Sequence, residues 1–322
     1  MRITQLSPLL ILVLATLPGL TACSQGKEPA ETYEVARQGV YSATFSADGD
    51  SLMVGSIHHG GSLWQMPPPE RVYDWNHKAD GVSNLTHSAF SADGRYVATT
   101  DNRTIVLWQR DTGEAVWFWN APGDIEDIEL TTDGRYALLA MRDFTATLFD
   151  IQNGGIRHRL AHDGIVYDVS IDHDGMLAAS GSDDLNARLW NLENGELLHT
   201  IHHNNQVKTV QLSADGRLLF TSALNESGKI WDTASGQLLK EIPAKSGHFS
   251  AAKFSATDTR LLTGSSSGQI TLWNVSTGEV IDQWRAKPRD AWVSTHVLIE
   301  DVSFASSEWR AAGTNGLLYF LR

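Results

Sequence analysis

Three residues near the middle of this 322-residue sequence, His162, Ser180 and Asp184, are of the types that form the catalytic triad of a serine hydrolase. In such a triad a histidine takes the proton of the serine hydroxyl, and a carboxylate orients the imidazole. The same pattern, with threonine for serine and asparagine for the acid, returns 41 positions later at His203, Thr221 and Asn225. A catalytic triad is not expected to repeat at a fixed period, so the sequence favours a structural role for these residues.

Two pairs of adjacent histidines, His58 with His59 and His202 with His203, could suggest a metal site because imidazole is a common metal ligand. Adjacent residues of a strand point to opposite faces, and no cysteine or carboxylate recurs beside these pairs at ligand spacing. The sequence also contains no glycine-rich loop of the kind that binds phosphate. It therefore predicts no metal site, no cofactor and no enzyme.

The formal net charge of the chain is -13 at pH 7. Proteins that bind nucleic acid neutralise phosphates with clustered lysine and arginine, so an acidic chain of this kind argues against a nucleic acid partner. The excess of carboxylates is more simply interpreted as a solvated surface that keeps the protein soluble.

The candidate residues lie in a unit of about 40 residues that recurs along the chain. In the clearest copy, residues 165–196, apolar runs are separated by Asp174-Gly175, a polar turn and Asn194-Gly195. Such dipeptides between alternating apolar runs indicate four antiparallel strands joined by tight turns. The third run of each unit ends in an aromatic residue: Trp64, Trp108, Phe149, Trp190, Trp231 and Trp273. This period, with four strands per unit, is typical of the blades of a β-propeller.

The repeated motifs resemble those of the WD40 family. They include Phe-Ser-Ala-Asp-Gly at 45–49 and 90–94, Leu-Trp at 189–190 and Trp-Asp at 231–232. The resemblance runs from about Tyr33 to the end of the sequence. With a last run near Phe320, it implies an all-β, seven-bladed WD40-like β-propeller over residues 32–322. The last blade lacks a fourth strand, and the family typically supplies it from an N-terminal strand, for which residues 33–36 are available.

The resemblance also implies a role for the triad-like residues. In WD40 proteins a histidine, a serine or threonine, an aspartate and a tryptophan of one blade form a structural hydrogen-bond network. The implied members here are His162, Ser180, Asp184 and Trp190 in one repeat and His203, Thr221, Asn225 and Trp231 in the next. Equivalent histidines are expected to be absent from the first three repeats.

The N-terminus resembles the signal peptide of a bacterial lipoprotein. Arg2 precedes the apolar run 9–17, and residues 20–23, Leu-Thr-Ala-Cys, match the lipobox pattern. The resemblance implies removal of residues 1–22 and acylation, including palmitate, of Cys23, the only cysteine of the chain. Because Ser24 is not aspartate, it favours an outer membrane protein that faces the periplasm. The polar residues 23–31 are predicted to form a flexible tether.

Six residues are candidates for contacts with a partner. Asp101, Arg142 and Asp183 lie at blade turns, on the face that, by resemblance to WD40 proteins, often binds peptides. Lys287, Arg289 and Trp292 lie in the long link 285–300. The link could equally be a tolerated insertion. We expect a monomeric, non-catalytic platform for unidentified envelope proteins, attached to the membrane through Cys23. The alternatives are a hydrolase or lyase that uses channel residues and a ligand or glycan sensor that uses the Trp292 loop.

Overall fold

The computed structural model describes residues 26–78, 81–244, 247–289, 297–305 and 308–322. These residues form 28 β-strands in seven antiparallel sheets of four strands each, and no helix occurs among them. The predicted all-β, seven-bladed propeller is therefore confirmed. No described helix has the length and apolar character needed to cross a membrane.

The first three blades follow one another along the chain. Blade 1 contains β2 (Val40–Phe45), β3 (Ser51–Ser56), β4 (Gly60–Gln65) and β5 (Glu70–Trp75). Blade 2 contains β6 (His87–Phe90), β7 (Tyr96–Thr100), β8 (Thr104–Gln109) and β9 (Ala115–Asn120). Blade 3 contains β10 (Ile125–Leu130), β11 (Tyr136–Met141), β12 (Thr145–Asp150) and β13 (Ile156–Ala161).

The next three blades repeat this order. Blade 4 contains β14 (Val166–Ile171), β15 (Leu177–Ser182), β16 (Asn186–Asn191) and β17 (Glu196–His202). Blade 5 contains β18 (Val207–Leu212), β19 (Leu218–Ala223), β20 (Gly228–Asp232) and β21 (Leu238–Ile242). Blade 6 contains β22 (Phe249–Phe254), β23 (Arg260–Ser265), β24 (Gln269–Asn274) and β25 (Val280–Arg285).

Blade 7 joins the two ends of the chain. It combines β26 (Ile299–Phe304), β27 (Trp309–Gly313) and β28 (Leu317–Leu321) with β1 (Glu31–Glu34), which pairs antiparallel with β28. The closing strand thus lies two residues earlier than the sequence indicates. Val35 and Ala36 are buried instead in the core shared with blade 1, and both backbone N–H groups donate to the carbonyl of Gly316. Closure pairs the edge of β28, which would otherwise be open.

The Asp-Gly pairs form the turns between the first and second strands, as the sequence predicts. In blade 2, Asp93 Oδ1 accepts hydrogen bonds from Ser91 Oγ at 2.7 Å and from Arg95 N at 2.9 Å. Gly94 takes a φ of 71°, a left-handed conformation that favours glycine. Local side-chain bonds therefore stabilise this turn.

The core lies between adjacent blades, where the fourth strand of one blade packs on the third strand of the next. Trp75 stacks on Trp108 with ring centroids 5.0 Å apart, and Trp119 stacks on Phe149 at 3.8 Å. Stacked aromatic pairs of this kind contribute about 0.5–1.5 kcal/mol beyond the burial of their area. These two stacks thus stabilise the contacts of blade 1 with blade 2 and of blade 2 with blade 3.

The polar segment before β1 also contacts the propeller. We name residues 26–30 the strap. Lys27 forms a parallel bridge with Trp284 in β25, and Ala30 N donates to Phe320 O at 2.8 Å. The part of the predicted tether that the structure describes therefore lies along blades 6 and 7.

Candidate functional site

The triad-like residues of blade 4 are assembled in its interior. His162 Nε2 lies 2.7 Å from Ser180 Oγ, Trp190 Nε1 donates to the same oxygen at 2.8 Å, and Asp184 Oδ2 lies 3.0 Å from His162 Nδ1. Burial lowers the pKa of His162, and Asp184 opposes this effect. Ser180 is fully buried and bonded by both neighbours, so no substrate carbonyl can reach its oxygen. This arrangement fastens strands rather than activating a nucleophile.

Blade 5 contains the same arrangement with one member changed. Thr221 Oγ1 lies 3.0 Å from His203 Nε2 and accepts a hydrogen bond from Trp231 Nε1 at 2.8 Å. The acid at His203 Nδ1 is Glu226, at 3.2 Å, and the prediction that Asn225 fills this place is wrong. In the turn of blade 4 the left-handed residue is Leu185, which corresponds to position 226 in blade 5. In blade 5 the left-handed residue is Asn225 instead, with a φ of 59°. This shift by one position brings Glu226 to the imidazole.

Blade 2 has a histidine network that the sequence analysis missed. His77 Nε2 lies 2.9 Å from Thr99 Oγ1, which accepts a hydrogen bond from Trp108 Nε1 at 2.8 Å, and His77 Nδ1 lies 3.6 Å from Asp101. The expectation that the first three repeats lack such a histidine is therefore wrong. The irregular link between β5 and β6 moves His77 out of the 41-residue register. Asp101, predicted to contact a partner, instead faces His77 and caps the turn through Arg103 N and Thr104 N.

Arg142 and Asp183 lie at the same end of neighbouring blades, each in the turn between the second and third strands. Three further residues occupy the β-bulges at the start of the first strands of blades 3, 4 and 5: Glu126, Tyr167 and Lys208. We name these five residues the blade 3–5 rim. Two of its members, Arg142 and Asp183, are predicted partner contacts.

The rim side chains contact one another. Arg142 forms an ion pair with Glu126, and Tyr167 donates from its hydroxyl to Asp183 Oδ1 at 3.2 Å. Lys208 Nζ lies 3.2 Å from the centroid of the Tyr167 ring. Burial raises the pKa of Tyr167, as does Asp183, and burial lowers the pKa of Lys208. Charges of both signs around an aromatic ring suit recognition of a protein surface.

The first strands of all seven blades surround a central channel of about 370 Å³. Asp127 Oδ2 accepts a hydrogen bond from Val169 N at 3.1 Å, and Asp168 Oδ2 accepts one from Val210 N at 2.6 Å. Each carboxylate therefore joins its own blade to the next.

The channel carboxyl groups have raised pKa values. Burial raises the pKa of Asp168 to about 7 and that of Glu129 to about 7, and Lys253 opposes the effect at Glu129. Burial and the neighbouring Asp168 hold the pKa of Asp127 well above its usual range. Within the described ranges no group of three or more His, Cys, Asp or Glu side chains is placed to hold a metal ion.

The fold and these sites can be compared with known proteins. The family model described as outer membrane protein assembly factor BamB matches residues 51–281, which is more than half of the chain. The chain belongs to this family. The match begins in β3 and ends in β25, so it contains the rim and all three histidine networks but not the strap or blade 7. A search of curated proteins finds no match.

In this BamB-family propeller the predicted contacts of the blade 6–7 link are used within the chain. Lys287 Nζ lies 2.7 Å from Glu28 in the strap, and Arg289 donates to the carbonyl of Ala36 at 2.9 Å and pairs with Glu34. Their charges are thus neutralised by the segment around the closing strand. Trp292 and Cys23 lie outside the described residues.

Sequence reasoning missed the three bulge residues of the blade 3–5 rim, although a signal was present. Glu126, Tyr167 and Lys208 are 41 positions apart, the same spacing as the tryptophans of the third strands. Applying the period to the polar positions of the first strand would have identified them. These three positions differ in residue type from blade to blade, whereas the third-strand positions repeat an aromatic residue, so the residue types alone do not reveal the period.

Proposed function

We propose that this protein is a lipid-anchored, non-catalytic propeller with WD40-like repeats that binds envelope proteins at the outer membrane of a bacterium. The family match over residues 51–281 carries the proposal, because the family is named for the assembly of outer membrane proteins. The lipobox ending in Cys23 supports the anchor, and the blade 3–5 rim supplies a surface suited to a protein partner. Partners are envelope proteins that reach the periplasmic side of the membrane.

The anchor is tested by the substitution Cys23→Ala. Loss of the acylated cysteine is expected to move the protein from the membrane fraction to the soluble fraction, because each buried CH₂ of an acyl chain contributes about 0.8 kcal/mol to membrane binding. Fractionation of cells and the mass of the mature N-terminus measure the result. An unchanged distribution and an unmodified Cys23 in the parent would overturn the anchor.

The binding surface is tested by reversing rim charges. Arg142→Glu and Asp183→Lys are expected to reduce the yield of partners captured by crosslinking in cells by about tenfold or more, since like charges across an interface cost several kcal/mol. Arg217→Glu is the matched control, because Arg217 is an exposed arginine in a turn at the opposite end of its blade. An unchanged yield of crosslinked partners in the rim variants, or an equal loss of yield in Arg217→Glu, would contradict the assignment of the rim as the binding surface.

A second candidate function is an enzyme whose chemistry lies in the channel. The observation that favours it is the pair Asp127 and Asp168, two interacting carboxyl groups with raised pKa values, as found in acid–base sites. Turnover on a substrate panel that disappears in Asp168→Asn would establish it. Equal turnover in that variant would remove these carboxyl groups from the chemistry.

A further inference from the structure

The strap is joined to the outer edge of blade 6 by backbone hydrogen bonds. Lys27 N donates to Gln283 O at 2.7 Å, and Arg285 N donates to Lys27 O at 3.0 Å. Gly26 takes a φ of 75°, and a Cβ at this position would lie 3.1 Å from the carbonyl carbon of Trp284. The close approach of the two backbones therefore depends on glycine.

Ion pairs reinforce the same contact. Lys27 Nζ lies 2.6 Å from Asp282 Oδ2 and 6.0 Å from the centroid of the Trp284 ring. Glu28 pairs with Lys287 at 2.7 Å. The strap thus meets blade 6 through main-chain bonds, opposite charges and an aromatic face.

The strap begins very close to the lipidation position. Cys23 and Gly26 are three residues apart, and consecutive Cα atoms are about 3.8 Å apart, so their Cα atoms are separated by at most about 11 Å. An acyl chain on Cys23 would therefore place the outer edge of blade 6 within about one headgroup layer of the lipid surface. A flexible anchor of many residues would impose no such limit.

The edge beside the strap exposes apolar side chains. Val280 and Ile281, at the start of β25, are 50% and 48% exposed. Because Lys27 pairs parallel to β25, the strap enters from the end of the strand where these two residues lie. Apolar side chains at this distance can enter the boundary between headgroups and acyl chains.

We propose that the strap docks the outer edge of blade 6 on the membrane, so that the propeller stands on the lipid surface by this edge in one orientation. The inference rests on the proposed acylation of Cys23. The lipid surface is recognised through the anchor and through Val280 and Ile281 rather than by charge. Lys27 of the strap and the nearby Lys287 are both paired with carboxylates, and the chain carries a net charge of -13. None of the five rim residues lies in blade 6 or in the strap, so the blade 3–5 rim stays free for a protein.

The test compares two engineered cysteines at equivalent positions of opposite blades. Ile281→Cys in blade 6 and Val116→Cys in blade 2 replace residues that are 48% and 47% exposed, each three positions after the turn glycine. Acylated Cys23 has no free thiol, so each variant carries a single reactive site. The full mature lipoprotein, labelled with a fluorophore, is reconstituted into phosphatidylcholine vesicles containing a headgroup spin label that quenches fluorescence.

Quenching at position 281 is expected to exceed quenching at position 116 several-fold. Equal quenching of protein that floats with the vesicles would overturn the orientation and leave the anchor intact. Protein that does not float would overturn the anchor, and the orientation with it. The variant Gly26→Val is expected to abolish the difference, provided that an unchanged unfolding temperature shows the ring to be closed. A difference that survives in this variant would show that the strap does not orient the propeller.

Discussion

Replacing Thr221 by valine is expected to lower the free energy of unfolding by about 2–4 kcal/mol, because a buried imidazole and a half-buried indole each lose a hydrogen-bond partner at about 1–3 kcal/mol. These groups are His203 Nε2, 3.0 Å from the hydroxyl, and Trp231 Nε1, 2.8 Å from it. Valine keeps the shape of threonine, so packing changes little. Urea unfolding followed by tryptophan fluorescence measures the effect.

Thr263→Val in blade 6 is the matched control. Thr263 is equally buried and accepts a hydrogen bond from Trp273 Nε1 at 2.8 Å. The ring that packs edge-on against Trp273 belongs to Phe249 rather than to a histidine. This substitution is expected to cost about 1–2 kcal/mol, since it leaves the indole N–H without a partner and removes only a long bond of 3.3 Å from the Thr263 hydroxyl to the carbonyl of Thr271. Equal costs in the two blades would show that the histidine contributes nothing to the network.

Asp168→Asn is expected to stabilise the protein at pH 8 by about 1–3 kcal/mol and to have little effect near pH 4. The pKa of Asp168 is raised from 3.8 to about 7 by burial in the channel. A carboxyl group with a raised pKa in the folded state contributes stability that is fully present below pH 4 and is lost as the pH rises through 7. Asparagine mimics the protonated acid, and its carbonyl oxygen can still accept the hydrogen bond from Val210 N.

Asp93→Asn supplies a control of opposite sign. The backbone and side-chain donors of its turn hold the pKa of Asp93 below its usual value, although burial opposes them. Its contribution to stability is therefore present above pH 4 and is lost as the pH falls, so this variant is expected to be less stable than the parent at pH 8. Urea midpoints at pH 4 and pH 8 measure both variants. A loss of stability in Asp168→Asn at pH 8 would contradict the raised pKa.

The seven-bladed fold could be predicted because the same sequence signals for strands and turns recur in successive repeats. Each Asp-Gly pair and each third-strand tryptophan is a weak signal, but their constant spacing is a strong one. The resemblance to WD40 proteins implied the network of His162, and the spacing placed His203, Thr221 and Trp231 in the next repeat. His77 and Glu226 did not follow from the spacing, because an irregular link and a shifted turn move them away from the period while the folded blade still brings them to the same place.

The strap could not be predicted because its contacts cross almost the whole chain. Residues 24–31 are polar, with a glycine and a proline, which is the composition of a flexible linker. Nothing in that composition shows that Lys27 meets Asp282, 255 positions later. The blade 3–5 rim was predicted only in part for a similar reason. Arg142 and Asp183 follow from their turn positions, whereas the residues that contact them lie in first strands distant in sequence from those turns.

The pairing of β1 with β28 has a consequence for the order of folding. Blades 1 to 6 are built from hairpins of neighbouring strands, which form quickly because their loops are short. Blade 7 requires residues 31–34 to find residues 317–320, the most distant strand pairing in the propeller. We expect the ring to close in one late step, governed by the entropy of joining distant segments, and resistance to proteolysis to rise only when that step is complete.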